Sequence, residues 1–191
     1  MVASAASLMG SRGVDATSFR DVLEHSHAPR GSIYHYFPAG KQQLVDDAVR
    51  WTTEVVLAHQ RSYADRAPSG VLLHFLSFFR ESVVASRCRA GCPVAAAVVN
   101  AYTREELLSE VVRGGFRSWI SLLTDQLTAR GVPPRRARSL SITALASIEG
   151  ALILCRAEGT VRPLDAVREE LRVLAGPLGK SVRRSESPRA T

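Results

Sequence analysis

Apolar residues recur at intervals of three and four along almost the whole chain, and no stretch alternates apolar and polar residues with the period of two that a half-buried strand requires. That pattern is the strongest constraint on the fold, because a stripe repeating every 3.6 residues buries one face of a helix and fits nothing on a pleated sheet. The chain is therefore read as all-α. Glycine, proline and short polar stretches cut it into about nine helices, near residues 2–11, 19–25, 29–36, 41–63, 71–87, 94–101, 104–130, 135–157 and 163–174. With 191 residues, 46% of them hydrophobic, there is ample material for a core, and no internal repeat points to a solenoid.

The helices divide into a small first domain over residues 1–45, whose fourth helix continues to about residue 63 as a connector, and a larger helical bundle over residues 64–176. The Ser-, Arg-, Pro- and Gly-containing tail 177–191 is expected to be disordered. Apolar runs such as 94–99 fall short of the ~20 residues of a membrane span, and the first nine residues lack a basic start and a cleavage signature, so a cytoplasmic protein with no membrane partner is expected.

The segment 17–37 is a short helix, a tight turn and a second short helix, the arithmetic of a helix-turn-helix. Ser18 followed three residues later by Asp21 forms a capping-box pattern, and Phe19, Val22 and Leu23 share one face. On the next helix Ile33 and Phe37 lie one turn apart and point inward, which leaves Arg30, Gly31, Tyr34 and His35 open to solvent. Those residue types suit double-stranded DNA: an arginine addresses a guanine edge bidentately, small Gly31 and Ser32 let the backbone approach, and a helix N-terminus offers N–H groups to phosphate. Tyr36 and Lys41 add further donors for the backbone. The formal net charge of +7 supports this only weakly, since within residues 1–50 five cations (Arg12, Arg20, Arg30, Lys41, Arg50) are balanced by five anions (Asp15, Asp21, Glu24, Asp46, Asp47).

Other chemistries find little support. Paired carboxylates, a nucleophile elbow and a phosphate-cradling glycine loop are missing from the sequence, so no enzyme and no cofactor is expected. His25, His27 and His35 are not spaced to converge on a metal. Cys88, Cys92 and Cys155 are an odd set for a disulfide framework and read as small packed thiols; a redox switch at Cys88-x-x-x-Cys92, flanked by Arg87 and Arg89, is the alternative.

The run Ala16-Thr-Ser-Phe-Arg-Asp-Val, then Gly31-Ser-Ile-Tyr-His-Tyr-Phe-Pro and Lys41, resembles the TetR family of repressors, and Ala5-Ala6-Ser7-Leu8-Met9 with Gly13 is similar to the end of that family's first helix. The resemblance implies that Thr17, Ser18, Arg20, Arg30, Gly31, Ser32, Tyr34, His35, Tyr36 and Lys41 touch DNA. Three departures stand out. His27 occupies a turn position usually held by glycine, the first helix begins a turn late, and Phe37-Pro-Ala-Gly-Lys41 is one residue longer than the common loop. The late start implies either an absent phosphate-reaching arm or a coding start further upstream. The longer loop, with Gly91-Cys-Pro-Val94, is similar to the LmrA/YxaF-like branch, whose members are generally repressors of efflux or detoxification genes released by drug-like ligands.

Phe75, Phe79, Phe116 and Trp119 on helices 5 and 7 read mainly as core; by the same resemblance the space between helices 5, 7 and 8 holds a small-molecule effector, which some of them would line, with Asn100, Ser147 and Glu149 orienting it. Helix 8 carries Thr143, Ala146, Gly150 and Leu154 in a row that lets two helices approach, and helix 9 has an apolar stripe of Leu164, Val167 and Leu171. The resemblance implies that these two helices pair with their counterparts in a homodimer.

Overall fold

The computed structural model describes residues 1–103 and 110–176, with only the backbone described at residues 100–103. Among these residues there are nine helices and no strand: α1 (Val2–Arg12), α2 (Phe19–Ser26), α3 (Ser32–Tyr36), α4 (Gly40–Arg61), α5 (Pro68–Ala85), α6 (Pro93–Thr103), α7 (Glu110–Thr128), α8 (Pro134–Glu158) and α9 (Arg162–Leu174). The expected start of helix 7 at residue 104 and the tail 177–191 lie outside the described residues.

Most ends have a local cause. Ser18 and Asp21 form a complete capping box that fixes the start of α2. Proline in the first turn of α5, α8 and α9 sets the helical φ where no N–H is needed, so α5 begins three residues before the sequence reading placed it. α5 then stops at Ala85 rather than residue 87, because Arg87 and Cys88 turn to φ +52° and +61° and the Cys88 N–H closes onto the Val83 carbonyl. The third helix is the largest departure. Residues 29–31 form a turn, the Ser32 N–H being bonded to the Pro29 carbonyl, and only five residues remain helical.

One continuous core runs from Ala5 to Ala175. α1 packs on α2, α4 and α6; α4 crosses to α5, α6 and α7; α8 lies between α7 and α9, and α9 closes on α5. Gly115 lets α7 approach α4 closely, since a Cβ there would sit 3.1 Å from the Thr53 hydroxyl and 3.2 Å from Val94. Beside it the Trp119 indole N–H donates to the Thr53 carbonyl at 3.2 Å. The connector is thereby fastened to the body.

α8 corrects the reading that no segment is long and apolar enough for a membrane: its 25 residues include a window of mean hydropathy 1.5. Its apolar content has two other destinations. Leu140, Ala144, Ile148, Leu152 and Cys155 face the core, while Ile142, Ile153 and Leu154 form an exposed stripe.

Candidate functional site

The helix-turn-helix is assembled around Val22, Ile33 and Phe37, all buried, with Phe19 stacked on Phe37 and met edge-on by Tyr34 at 6.0 Å. Packing of Ile33 and Phe37 fixes the rotation of α3 and leaves its other aromatic and imidazole side chains largely outside the core. Tyr34, His35 and Tyr36 are exposed, as are Arg30, Gly31 and Arg20. A Cβ built on Gly31 meets nothing, and its φ of −74° suits any residue, so glycine here keeps the approach open rather than relieving the backbone.

Three expected contacts are placed differently. Thr17 is buried and its hydroxyl donates to the Gly13 carbonyl at 2.8 Å, tying the loop to α1 instead of facing outward. Ser32 donates its hydroxyl to the Pro29 carbonyl at 2.6 Å, and Ser18 donates to Asp21 Oδ2 at 2.5 Å, so both hydroxyls are occupied within the protein. The bonds from Ser18, with Arg12 nearby, hold the Asp21 carboxyl below the usual range. With only five residues and its Ser32 N–H already used, α3 also lacks the N-terminal phosphate site that a longer helix offers.

The turn carries the anticipated strain: His27 adopts φ 53°, ψ 27°, the left-handed conformation in which glycine is most at ease. The longer loop after α3 is held by a residue the sequence reading passed over. Gln43 accepts from the Ala39 N–H at 3.0 Å and donates to the Tyr36 carbonyl at 3.1 Å, while Gly40 takes φ +77°. Lys41 is half-buried, its Nζ donating to the Asp15 carbonyl at 3.4 Å. Gly13, expected as a left-handed cap, has positive φ but an extended ψ of 165°.

In the body, the aromatic side chains expected between α5, α7 and α8 pack against one another. Phe75, Phe79, Phe116 and Trp119 meet one another edge-on at centroid distances of 5.3 to 6.1 Å, and Phe75 and Trp119 are 1% exposed. Two cavities lie nearer the helix-turn-helix. A cavity of about 730 Å³ opens between α1, α4 and α5, lined among others by Leu8, Trp51, Phe78 and Phe79. A second, of about 480 Å³, lies between α1, α6 and α8 and contains Glu149. Of the residues predicted to hold an effector, only Phe79 and Glu149 therefore line either cavity; Ser147 and Phe116 do not, and the Asn100 side chain lies outside the described residues.

Burial raises the Glu149 carboxyl to about 7, and together with the Glu149 charge it pushes the Cys92 thiol well above its ordinary value. A reactive thiolate at Cys92 is thereby disfavoured, against the redox alternative, and Cys155 is likewise a buried, packed thiol.

Between the cavities α1 is latched to the body. Arg156 of α8 donates to the Gly10 and Ser11 carbonyls at 3.2 and 2.6 Å, and the Gly10 and Gly91 backbones touch so closely that a Cβ on either would lie 2.5 Å from the other's oxygen. No local motif announces a bond between residues 146 positions apart.

The dimer expectation is corrected in part. Leu164 and Leu171 are buried and Val167 is half-buried against the same core, because the apolar stripe of α9 closes on α5 and α8. Thr143, Ala146, Gly150 and Leu154 are exposed as expected, and a Cβ on Gly150 meets nothing.

Comparison with known proteins matches both halves. Residues 2–48 fit the profile of bacterial regulatory proteins of the tetR family, and residues 68–170 fit that of the LmrA/YxaF-like transcriptional regulator C-terminal domain. The chain belongs to the TetR family. An uncharacterized HTH-type transcriptional regulator of Mycobacterium tuberculosis, Rv0196, is 39% identical over 181 residues, covering 91% of each chain. The HTH-type transcriptional regulator LmrA of Bacillus subtilis is 27% identical over 86% of this chain and 88% of its own. A TetR transcriptional regulator from Legionella pneumophila, whose crystal structure is known, superposes with a TM-score of 0.81 over 92% of this chain and 95% of its own at 20% identity. This TetR-family protein is a transcriptional regulator and not an enzyme.

Proposed function

We propose that this TetR-family chain is a cytoplasmic repressor that binds a palindromic operator as a homodimer and is released from it by a small hydrophobic or drug-like molecule. The carrying observation is the outward face of α3, where Tyr34, His35 and Tyr36 are exposed, as are Arg20, Arg30 and Gly31 of the same helix-turn-helix. A two-fold dimer would set two such faces about 34 Å apart in successive major grooves. Arg30 reads base edges, while the tyrosines, His35 and Lys41 position the backbone. The pairing surface is the exposed stripe of α8 with the outer edge of α9: Ile153 is 70%, Leu154 52% and Val173 73% exposed, around the bare Gly150. Residues 1–45 form the reading domain, and α4 links it to the body.

The effector enters the larger cavity, which an apolar molecule of drug size would fill. Because α1 and α4 form its walls, occupancy shifts the preferred spacing of the two α3 helices, and affinity falls as that state is depopulated. Binding to the DNA flanking the protein's own gene, followed by fluorescence anisotropy against random DNA, tests the reading. Arg30→Ala is expected to lose ~1 to 3 kcal/mol of discrimination at one base pair, whereas Lys41→Ala weakens binding to every sequence and flattens the salt dependence. Equal losses on operator and random DNA for Arg30→Ala would remove its reading role.

A further inference from the structure

The smaller cavity holds one unusual group. Among its described charged neighbours, Asp15 has a partner of its own, Arg12 pairs with Asp21 and Arg156 is bonded to the carbonyls at the end of α1. Glu149 instead presents Oε1 buried and without a hydrogen-bond partner; the Cys92 thiol is the side-chain partner of its carboxyl. Buried carboxyl oxygens are ordinarily satisfied, because losing water without a replacement bond is costly. Glu149 borders a space of about 480 Å³ whose other walls include Met9, Ala95, Ala96 and Leu152. A neutral donor would satisfy the oxygen but would not draw the carboxyl, which burial raises to about 7, into its ionised form. A basic nitrogen supplies both the hydrogen bond and the opposite charge.

We propose that the cleft between α1, α6 and α8 is a binding site for an amphipathic amine, its ammonium paired with the Glu149 carboxyl and its apolar body along Met9, Ala95 and Leu152, and that α1 transmits its occupancy to DNA. Transmission follows from the walls. Gly10, Arg12 and Gly13 border the cleft from α1 and its end, and Arg156 both lines the cleft and bonds the last turn of α1. A ligand wedged against Glu149 therefore bears on the latch that joins the reading domain to the body. The site is separate from the larger cavity, although Arg12, Gly91 and Leu152 border both. The transmission half rests on reading the chain as a ligand-responsive regulator; the binding half does not.

Titration calorimetry of the full chain with 4-phenylbutylamine and its neutral counterpart 4-phenylbutanol tests the site. Glu149→Gln keeps the shape and removes the charge, so it is expected to weaken amine binding by about tenfold or more while the alcohol binds as before. Ala95→Leu fills the cleft and is expected to abolish binding of both, with circular dichroism confirming that each variant is folded. Amine binding that survives either substitution in a folded protein overturns the site. Saturating amine is then expected to lower the affinity of the wild-type chain for the DNA flanking its gene by about fivefold or more, an effect absent in Glu149→Gln. Glu149-dependent amine binding with unchanged DNA affinity overturns transmission. If wild-type protein without amine fails to bind that DNA at all, the regulator reading is what fails, and calorimetry still decides the site.

Discussion

On α3, Tyr34 is 72% and Tyr36 59% exposed, whereas in the body Phe75 and Trp119 are each 1% exposed and locked edge-on to their neighbours. Large aromatic side chains are thus used in two ways within one chain. In the body they supply apolar area and the contacts that fasten α7 to α4 and α5. At the reading end they are held outward by the packing of Ile33 and Phe37 behind them, where they contribute little to folding. A large exposed ring on the helix-turn-helix is the surface that the proposed function gives to DNA. A large buried ring in the body is structure, and the cavity proposed for an effector lies beside it.

Substitutions at the two ends sharpen or break this contrast. The largest effect is expected for Trp119→Ala, which empties a fully buried site and deletes the bond to the Thr53 carbonyl. Urea unfolding should show a loss of about 3 to 5 kcal/mol, with DNA binding lost only as the fold is lost. Glu149 comes next. Its folded-state value of about 7 lies above the ordinary 4.5, so the unfolded chain gives up its proton first as pH rises. Stability should therefore fall between pH 4.5 and about 7 and stay low above, by on the order of 3 kcal/mol. Glu149→Gln should abolish that fall, and a wild-type stability profile that is flat across this window would contradict the burial of the carboxyl.

At the turn, His27→Gly should stabilise the reading domain by about 1 kcal/mol in thermal unfolding, because glycine adopts the left-handed backbone without steric cost. Smallest for the fold is Tyr34→Ala, expected to change stability by less than about 0.5 kcal/mol while sharply weakening DNA binding. A Tyr34 variant that unfolds instead would mean that its edge contact with Phe19 carries the domain, and the contrast between the two ends would fail.

Much of the reading end was legible because its signals are local. Ser18 and Asp21 cap α2, His27 sits at a turn that requires positive φ, and the spacing of Ile33 and Phe37 tells which side of α3 is left over. The body was legible in class and in helix count, but not in the destinations of its faces. Leu164 and Leu171 have the spacing of an interface stripe, and the same spacing serves a helix packed within its own chain. Phe75 and Trp119 have the composition of a ligand pocket and the packing of a core. Periodicity fixes how apolar residues share a face and leaves open what covers that face.

The sequence by itself therefore determined an all-α chain, a helix-turn-helix with Arg30 and Tyr34 facing outward, and the family to which both belong. Only the tertiary structure decided where the two cavities lie, which α9 leucines are spent inside the protomer, and that Arg156 latches α1 near the buried carboxyl of Glu149. The physical reason is range. Caps, turns and helical faces are settled among residues a few positions apart, whereas cavities and latches arise where helices distant in sequence meet and fail to fill the gap between them.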